Sequence, residues 1–332
     1  MIGFCLVGGG FIGPLHAANI AARDDAKLAW VVDLNTSAAE SLGVRFGAQT
    51  TAELDRALAD PAVHAVMICT PPRTHVALIE RAAKAGKAIF CEKPVDLDIA
   101  KVDVCAETIA RTGVPFFVAF NRRFDPTHRA LFDAIRAGDI GRPEMLLLSS
   151  RDPEISPPDY VAQMPYGIFY DTMIHDFDMV RWLLADEIVE VFARVACMLD
   201  ASENPHRDPD TTMVQLKMKG GALVHVNSSF RAVYGYDQRI EAFGEKGMLI
   251  SRNHQPTSLE RHDARGIHQD PLLRFFIERY AESYRRELDA FIGALKDGTR
   301  PPIGVADGRA ALAVADAAVA SVRSGSAIKM DA

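Results

Sequence analysis

The sequence predicts two domains of different class: an α/β unit around a parallel sheet, then an α+β unit on a large, mostly antiparallel open sheet. Three observations carry this expectation. Apolar β-rich runs alternate with helical periodicity up to about residue 120, and near-continuous hydrophobic strands separated by helices belong to sheets covered on both faces. A Gly8-x-Gly10-x-x-Gly13 turn separates the first apolar run from the first helix. Beyond Asn121 the runs switch to alternating apolar and polar residues, the pattern of strands with one covered face. At 332 residues the chain has room for two cores, and the expected domains are 1–120 and 121–332.

The first strand, Ile2-Gly3-Phe4-Cys5-Leu6-Val7, runs into the glycine turn and a helix reaching Ala22. In such a turn Gly8 permits the sharp bend, Gly10 lets a pyrophosphate approach the backbone, and Gly13 lets the helix pack on the strand. Gly8, Gly10, Phe11, Ile12 and Gly13 are therefore expected to hold a dinucleotide at the helix N-terminus, where unpaired N–H groups meet phosphate. A second strand, Leu28-Ala29-Trp30-Val31-Val32, ends in Asp33, twenty residues after Gly13. That is where an acid binds the ribose 2′-hydroxyl. Leu34-Asn35 offers no cation for a 2′-phosphate, so NAD is expected over NADP. Strand and helix context together make this a Rossmann dinucleotide-binding domain rather than an ordinary surface turn beside a solvated aspartate.

Further strands are expected at 65–69, 88–91 and 116–120, with helices near 51–59, 74–85 and 98–112. The last two helices close on Gly86 and Gly113, as C-termini often do. In the second domain a helix at 124–137 ends at Gly138, and strands are expected at 144–150, 188–198, 212–218, 222–230 and 237–243. Gly220-Gly221 between two alternating runs marks a hairpin. Two helices, near 272–296 and 306–323, end the chain.

The net charge of −7 is spread out, without a basic stripe, which argues against nucleic acid as a partner. No run approaches eighteen apolar residues, and the apolar start lacks a basic leader, so neither a membrane span nor a signal peptide is expected. Cys5, Cys69, Cys91, Cys105 and Cys197 are odd in number and scattered. They read as free thiols in a reducing compartment, which makes the expected location cytoplasmic.

Catalysis in such a fold is expected beyond the carboxyl ends of the parallel strands. Three ends stand out: Thr70-Pro71-Pro72-Arg73-Thr74-His75, Glu92-Lys93-Pro94 and Asn121-Arg122-Arg123. Lys93, between an acid and a proline, suits either a reactive position or a solvated surface lysine. In the second domain Asp171-Thr172-Met173-Ile174-His175-Asp176-Phe177-Asp178 opens a predicted helix. Helical period puts Asp171, His175 and Asp178 on one face, opposite Met173, Phe177, Val180 and Leu184. As i, i+4 neighbours, Asp171 and His175 can pair, and the positive helix end disfavours imidazolium. A neutral, oriented imidazole suits a general base. The same pattern suits a plain amphipathic helix with a wet polar face. No third ligand stands at metal-binding spacing, so no metal is expected.

Together these residues resemble the glucose-fructose oxidoreductase and inositol dehydrogenase (Gfo/Idh/MocA) family along essentially the whole chain. The carriers are the glycine turn, Thr70-Pro71 with His75, Glu92-Lys93-Pro94, Asn121-Arg122-Arg123-Phe124, Gly138-Asp-Ile-Gly141-Arg-Pro143 and Asp171-x-x-x-His175-Asp-x-Asp178. Tyr234-Gly-Tyr236-Asp237 and Phe243-Gly-Glu-Lys-Gly247 are similar too. Within the family the chain looks most like inositol 2-dehydrogenases.

The resemblance implies an NAD-dependent dehydrogenase oxidising a ring hydroxyl of a cyclic polyol or sugar. It makes Lys93, Asp171 and His175 the catalytic triad, with His175 as base. Thr70, Pro71, His75, Glu92, Lys93 and Asn121 join the cofactor site. Arg122, Ser150, Asp152 and Tyr236 join the triad around the substrate, and a homo-oligomer, tetramer or dimer, is implied. Where inositol enzymes carry His-Arg-Asn-Pro, this chain has Ser150-Arg151-Asp152-Pro153, and a glycine-rich stretch reads Met164-Pro165-Tyr166-Gly167. Both departures fall where a polyol would be held. Other readings are an aldose or other sugar oxidoreductase, one with tightly bound NAD(P), and a non-catalytic NAD(P)-sensing regulator. Such a regulator would be expected to lack Lys93 or His175.

Overall fold

The runs richest in apolar residues become the centre of the first sheet. In the computed structural model, which describes residues 1–330, six strands form one parallel sheet in the order β3-β2-β1-β4-β5-β6. They are β1 (Ile2–Val7), β2 (Ala26–Val32), β3 (Gln49–Thr51), β4 (Ala65–Ile68), β5 (Ala88–Glu92) and β6 (Phe116–Ala119). The order reverses between β1 and β4, which opens a crevice beyond their carboxyl ends. Helices α1 (Gly13–Ala21), α2 (Thr36–Phe46), α3 (Leu54–Leu58), α4 (His75–Lys84) and α5 (Ile99–Thr112) make the crossovers. Local chemistry sets their ends. The side chains of Asn35 and Asp98 accept from the N–H groups of Ala38 and Ala100, and Gly47 and Gly113 stop the same helices in the left-handed conformation. The stretch expected to be helical over 51–59 starts instead as the edge of the sheet. β-branched Thr50 and Thr51 pair with Val31 and Val32, and α3 begins only at Leu54.

The second part opens with α6 (Pro126–Ala137), whose Asp125 cap accepts from the N–H groups of Thr127 and His128. Its elements continue as β7 (Pro143–Arg151), α7 (Pro158–Gln163), α8 (Ile174–Leu184), β8 (Ile188–Ala196), β9 (Thr211–Met218), β10 (Leu223–Ser229), β11 (Asp237–Gly244), β12 (Gly247–Ser251), β13 (Glu260–Asp263) and β14 (Gly266–Gln269). There follow α9 (Phe276–Arg279), α10 (Ala281–Asp297), α11 (Val305–Ser324) and β15 (Ile328–Lys329). Seven strands pair in the order β12-β11-β7-β10-β9-β8-β15, antiparallel except for β7 against β10. Alternation decides which face is covered. Leu146 and Leu148 of β7, Val214 and Leu216 of β9 and Ile240 and Ala242 of β11 are buried, whereas their neighbours Met145, Leu147, Met213 and Phe243 are exposed.

A single boundary at residue 120 does not describe the packing. Contacts group Met1–Asn121 with Tyr284–Leu312, and Arg122–Ser283 with the chain from Ala313 onward. Phe291 of α10 is fully buried, its ring 5.5 Å from Phe90, 5.9 Å from Phe117 and 6.2 Å from Phe4. Gly308 of α11 packs so closely that a Cβ would lie 2.9 Å from Val95 Cγ2. The first sheet needs more apolar cover than its own crossovers supply, and burying one phenylalanine is worth about 2–3 kcal/mol. The late helices supply that cover.

Candidate cofactor and substrate sites

The first unit's site starts from backbone geometry. Gly8 has φ +101°, and a Cβ there would lie 2.7 Å from the Cys69 carbonyl. A Cβ on Gly13 would come within 2.2 Å of the Gly8 oxygen, whereas nothing lies within 4 Å of that position on Gly10. Two glycines are thus demanded by the chain itself, and the third leaves its backbone open to a ligand. No side chain caps α1, which begins after Ile12 with Pro14 in its first turn. Its first N–H groups are suited to an anion. Phe11 stands exposed on the loop. Asp33 Oδ2 accepts from Gly9 N and Oδ1 from Asn35 N, both at 2.7 Å. The carboxylate is therefore fixed beside the loop with lone pairs left for a sugar hydroxyl.

Beyond β4, Thr70 is half-buried and Pro71 exposed, and the Thr70 and Thr74 hydroxyls lie 2.7 Å apart. His75 differs from its expected role. Its ring is wholly buried, with Nδ1 2.9 Å from the Pro94 carbonyl and Nε2 2.7 Å from the Thr70 carbonyl. With both nitrogens occupied it joins the β4 and β5 loops and is not free to touch a cofactor. The Glu92 side chain likewise turns inward, its Oε1 2.7 Å from His16 Nε2. Lys93 follows, half-buried, with a cis bond to Pro94. Asn121, after β6, is buried, and its Nδ2 has no hydrogen-bond partner. The open backbone at Gly10, the uncapped α1, the fixed Asp33 and this spare amide donor fit a dinucleotide.

In the second unit, Asp171 and His175 do not share one α-helix. Residues Ile168–Thr172 form a π-helical turn, closed by Met173 N donating to Ile168 O at 2.9 Å, and α8 starts at Ile174. Such turns are frequent at functional sites. His175 is half-buried in the first turn of α8. Of the residues on the polar face, Asp178 is buried, as is its neighbour Asp176, whereas Asp171 and His175 are half-buried. Asp176 Oδ1 accepts from Arg122 Nη1, and Asp178 Oδ2 from Arg123 Nε, each at 2.8 Å.

Arg122, Ser150 and Tyr236, expected around the substrate, are also buried. Arg122 donates to Ser150 Oγ at 3.3 Å and to the Tyr236 hydroxyl at 3.5 Å, and Ser150 donates to Gln238 Oε1 at 3.1 Å. A buried guanidinium must be balanced and hydrogen-bonded, and this network does both. Burial alone would lower the Arg122 pKa, but Tyr280, Asp176, Tyr236 and Asp152 around it outweigh burial and raise it. Burial raises the Asp176 carboxyl, which Arg122 opposes. Asp152, by contrast, is half-buried.

A shallow cleft is lined by Tyr160, Met164, Gly167, Asp171, Asp208 and Phe230 among others. Tyr160, Asp208 and Phe230 were not legible in the sequence, because they come from a short helix and two irregular stretches without a shared motif. Asp208 Oδ1 accepts from Tyr166 N at 2.8 Å, where Tyr166 has φ +60°. Burial raises the Asp208 carboxyl.

Residues 2–120 match the oxidoreductase family with an NAD-binding Rossmann fold, and residues 128–250 match the GFO/IDH/MocA C-terminal domain. The chain belongs to the Gfo/Idh/MocA oxidoreductase family. As a Gfo/Idh/MocA member it is 44% identical over 320 residues to an inositol 2-dehydrogenase of Rhizobium meliloti, covering 96% of each chain. It is 40% identical over 330 residues to a myo-inositol 2-dehydrogenase of Thermotoga maritima, covering 98% of each. The crystal structure of a Lactobacillus casei myo-inositol dehydrogenase in complex with NAD(H) and myo-inositol is similar with TM-score 0.92 and 25% identity, over 100% of this chain and 97% of that one. This Gfo/Idh/MocA protein is thus an NAD-dependent oxidoreductase, and its first unit is the NAD-binding domain.

Proposed function

We propose that this oxidoreductase is an inositol dehydrogenase, oxidising one ring hydroxyl of a cyclic polyol to a ketone with NAD. The observation that carries the reading is the full-length match to inositol 2-dehydrogenases in a chain that keeps Lys93, Asp171 and His175. The bound cofactor supplies a hydride acceptor at nicotinamide C4. His175 takes the hydroxyl proton as the hydride leaves. The positive dipole end of α8 favours its neutral, accepting form. Lys93 donates a hydrogen bond to the reacting oxygen, and Asp171 balances the charge of both. Lys93, Asp171 and His175 would also hold the substrate, with Asp152 accepting from its hydroxyls while Arg122, Ser150 and Tyr236 support that wall from beneath.

The substrate assignment is tested with myo-inositol, scyllo-inositol, glucose and a uronic acid, using wild type and Asp152→Asn. Turnover of an inositol is the expected result, and kcat/KM is expected to fall in the variant by about ten-fold, the size of one hydrogen bond to a charged group. A carboxylate only accepts hydrogen bonds, so the uronic acid should be the poorest substrate. Turnover of the uronic acid alone would remove this reading. Unchanged kcat/KM in Asp152→Asn for every substrate would take that residue out of the pocket.

A homo-oligomer, dimer or tetramer, is part of the proposal. Met248, Phe243, Met145 and Leu223 stand side by side across β12, β11, β7 and β10, all exposed. An apolar row of this kind on a sheet face supports an interface between copies. Light scattering on the purified protein should give a multiple of the chain mass, and Phe243→Glu should reduce it; a monomeric wild type would remove the idea. A cytoplasmic location is supported by five cysteines that are all free thiols, and no helix among the described residues is long and apolar enough to cross a membrane.

A further inference from the structure

Helix α10 carries a buried acid for which the redox reading has no use. Glu287 is fully buried, and neither carboxylate oxygen has a hydrogen-bond partner. It belongs to the first unit, as do buried His16 of α1 and Glu92 of β5. One side-chain nitrogen or oxygen from each of the three lies within 4.8 Å of the others. His16 Nε2 already sits 2.7 Å from Glu92 Oε1. The imidazole is held edge-on by Phe90 and Tyr284, at centroid distances of 5.4 and 5.7 Å. The neighbouring Cys69 thiol is pushed up by burial first, then by Glu92, Cys91 and Glu287, so it stays neutral. Burial and then the Glu92 carboxylate push the Glu287 acid well up. Two bare carboxylates this close in a dry interior are strongly disfavoured, and one proton or one cation must intervene.

We propose that Glu287 is a neutral carboxylic acid that donates its proton to Glu92, and that the His16–Glu92–Glu287 chain positions Lys93. The proton stays covalently on Glu287 and is hydrogen-bonded to one Glu92 oxygen, while His16 N–H donates to the other. The pair of acids then holds one proton and one negative charge, and the proposal requires the Glu287 side chain to turn from its position within 4.8 Å into hydrogen-bond range of Glu92. Glu92 is the last residue of β5, directly before Lys93, and His16 lies in α1, the helix that follows the glycine loop. The chain of bonds therefore ties the helix at the cofactor site to the strand end that presents Lys93. Its consequence for catalysis rests on the role proposed above for Lys93; the proton on Glu287 does not.

The test uses the full-length protein. Infrared spectra at neutral pH of wild type and Glu287→Gln should differ by the C=O stretch of a protonated carboxylic acid, present only in wild type. Absence of that band would overturn the proposal. So would a stoichiometric divalent metal in wild type that is lost from Glu287→Gln, since a cation would then balance the charge. In kinetics, Glu287→Ala should lower kcat by about ten-fold with KM for NAD nearly unchanged, and Glu287→Gln, which keeps shape and a donor, should rescue most of that loss. Glu287→Gln as slow as Glu287→Ala would overturn the positioning role. The infrared comparison needs no activity, so it stands if the alanine variant fails to fold or if Lys93 proves dispensable.

Discussion

Lys93→Ala and His175→Ala are each expected to lower kcat by about 10²–10⁴-fold, the contribution of a positioned proton-transfer group, while NADH still binds. Lys93 stands at the carboxyl end of β5, in a loop braced by His75 through the Thr70 and Pro94 carbonyls. His175 is the residue of the polar set on α8 that keeps partial access, because Asp176 and Asp178 are committed to Arg122 and Arg123. Neither residue belongs to the glycine turn Gly8–Gly13 or to its Asp33 anchor, so removing either should spare binding. Steady-state kcat, with NADH affinity measured by fluorescence titration, separates the two effects. Near-wild-type kcat in His175→Ala would take it out of the reaction, and loss of NADH binding in Lys93→Ala would make that residue a cofactor ligand first.

The second large effect concerns cofactor choice. Wild type is expected to prefer NAD over NADP, and Asp33→Ala to lower kcat/KM with NAD by about 10–100-fold, the loss of a hydrogen bond to a charged group. Asp33 is held by two backbone donors at 2.7 Å, from Gly9 and Asn35, so its carboxylate cannot swing away from a 2′-phosphate. Leu34 beside it is 90% exposed and offers no cation. A 2′-phosphate would therefore meet an anchored negative charge. The measurement is the ratio of kcat/KM for the two cofactors in wild type and variant. NADP equal to NAD in wild type would refute the role of Asp33. A fall with both cofactors in Asp33→Ala would point instead to the Gly9 bond and a loosened loop.

These two predictions draw on different sources. The cofactor half was legible in the sequence because its determinants are local. A strand, a turn with φ that only glycine tolerates at Gly8, a helix and an acid at the next strand's end follow from residue type and spacing within the first 33 residues. The alternation in β7, β9 and β11 likewise told which residues face inward. The substrate half was legible only as a resemblance. Periodicity says that a face is covered, not by what. It allowed Asp178 a place on a solvated face, whereas Asp178 is buried and paired with Arg123 from the segment before α6.

What the sequence determined by itself was the class of both domains, the strand–glycine-turn–helix that opens the NAD-binding domain and the acid at the end of the next strand, since short-range sterics and hydrogen bonding fix those. Only the tertiary structure decided that residues 284–312 cover the first sheet, that Asp171 lies in a π-turn and His175 in the helix after it, and that Arg122, Ser150 and Tyr236 share a buried hydrogen-bonded network. It also decided that Glu287 lies within 4.8 Å of Glu92 and His16. These outcomes depend on segments far apart in the chain competing to cover the same apolar surface and balance the same buried charge, and no local pattern records which of them wins.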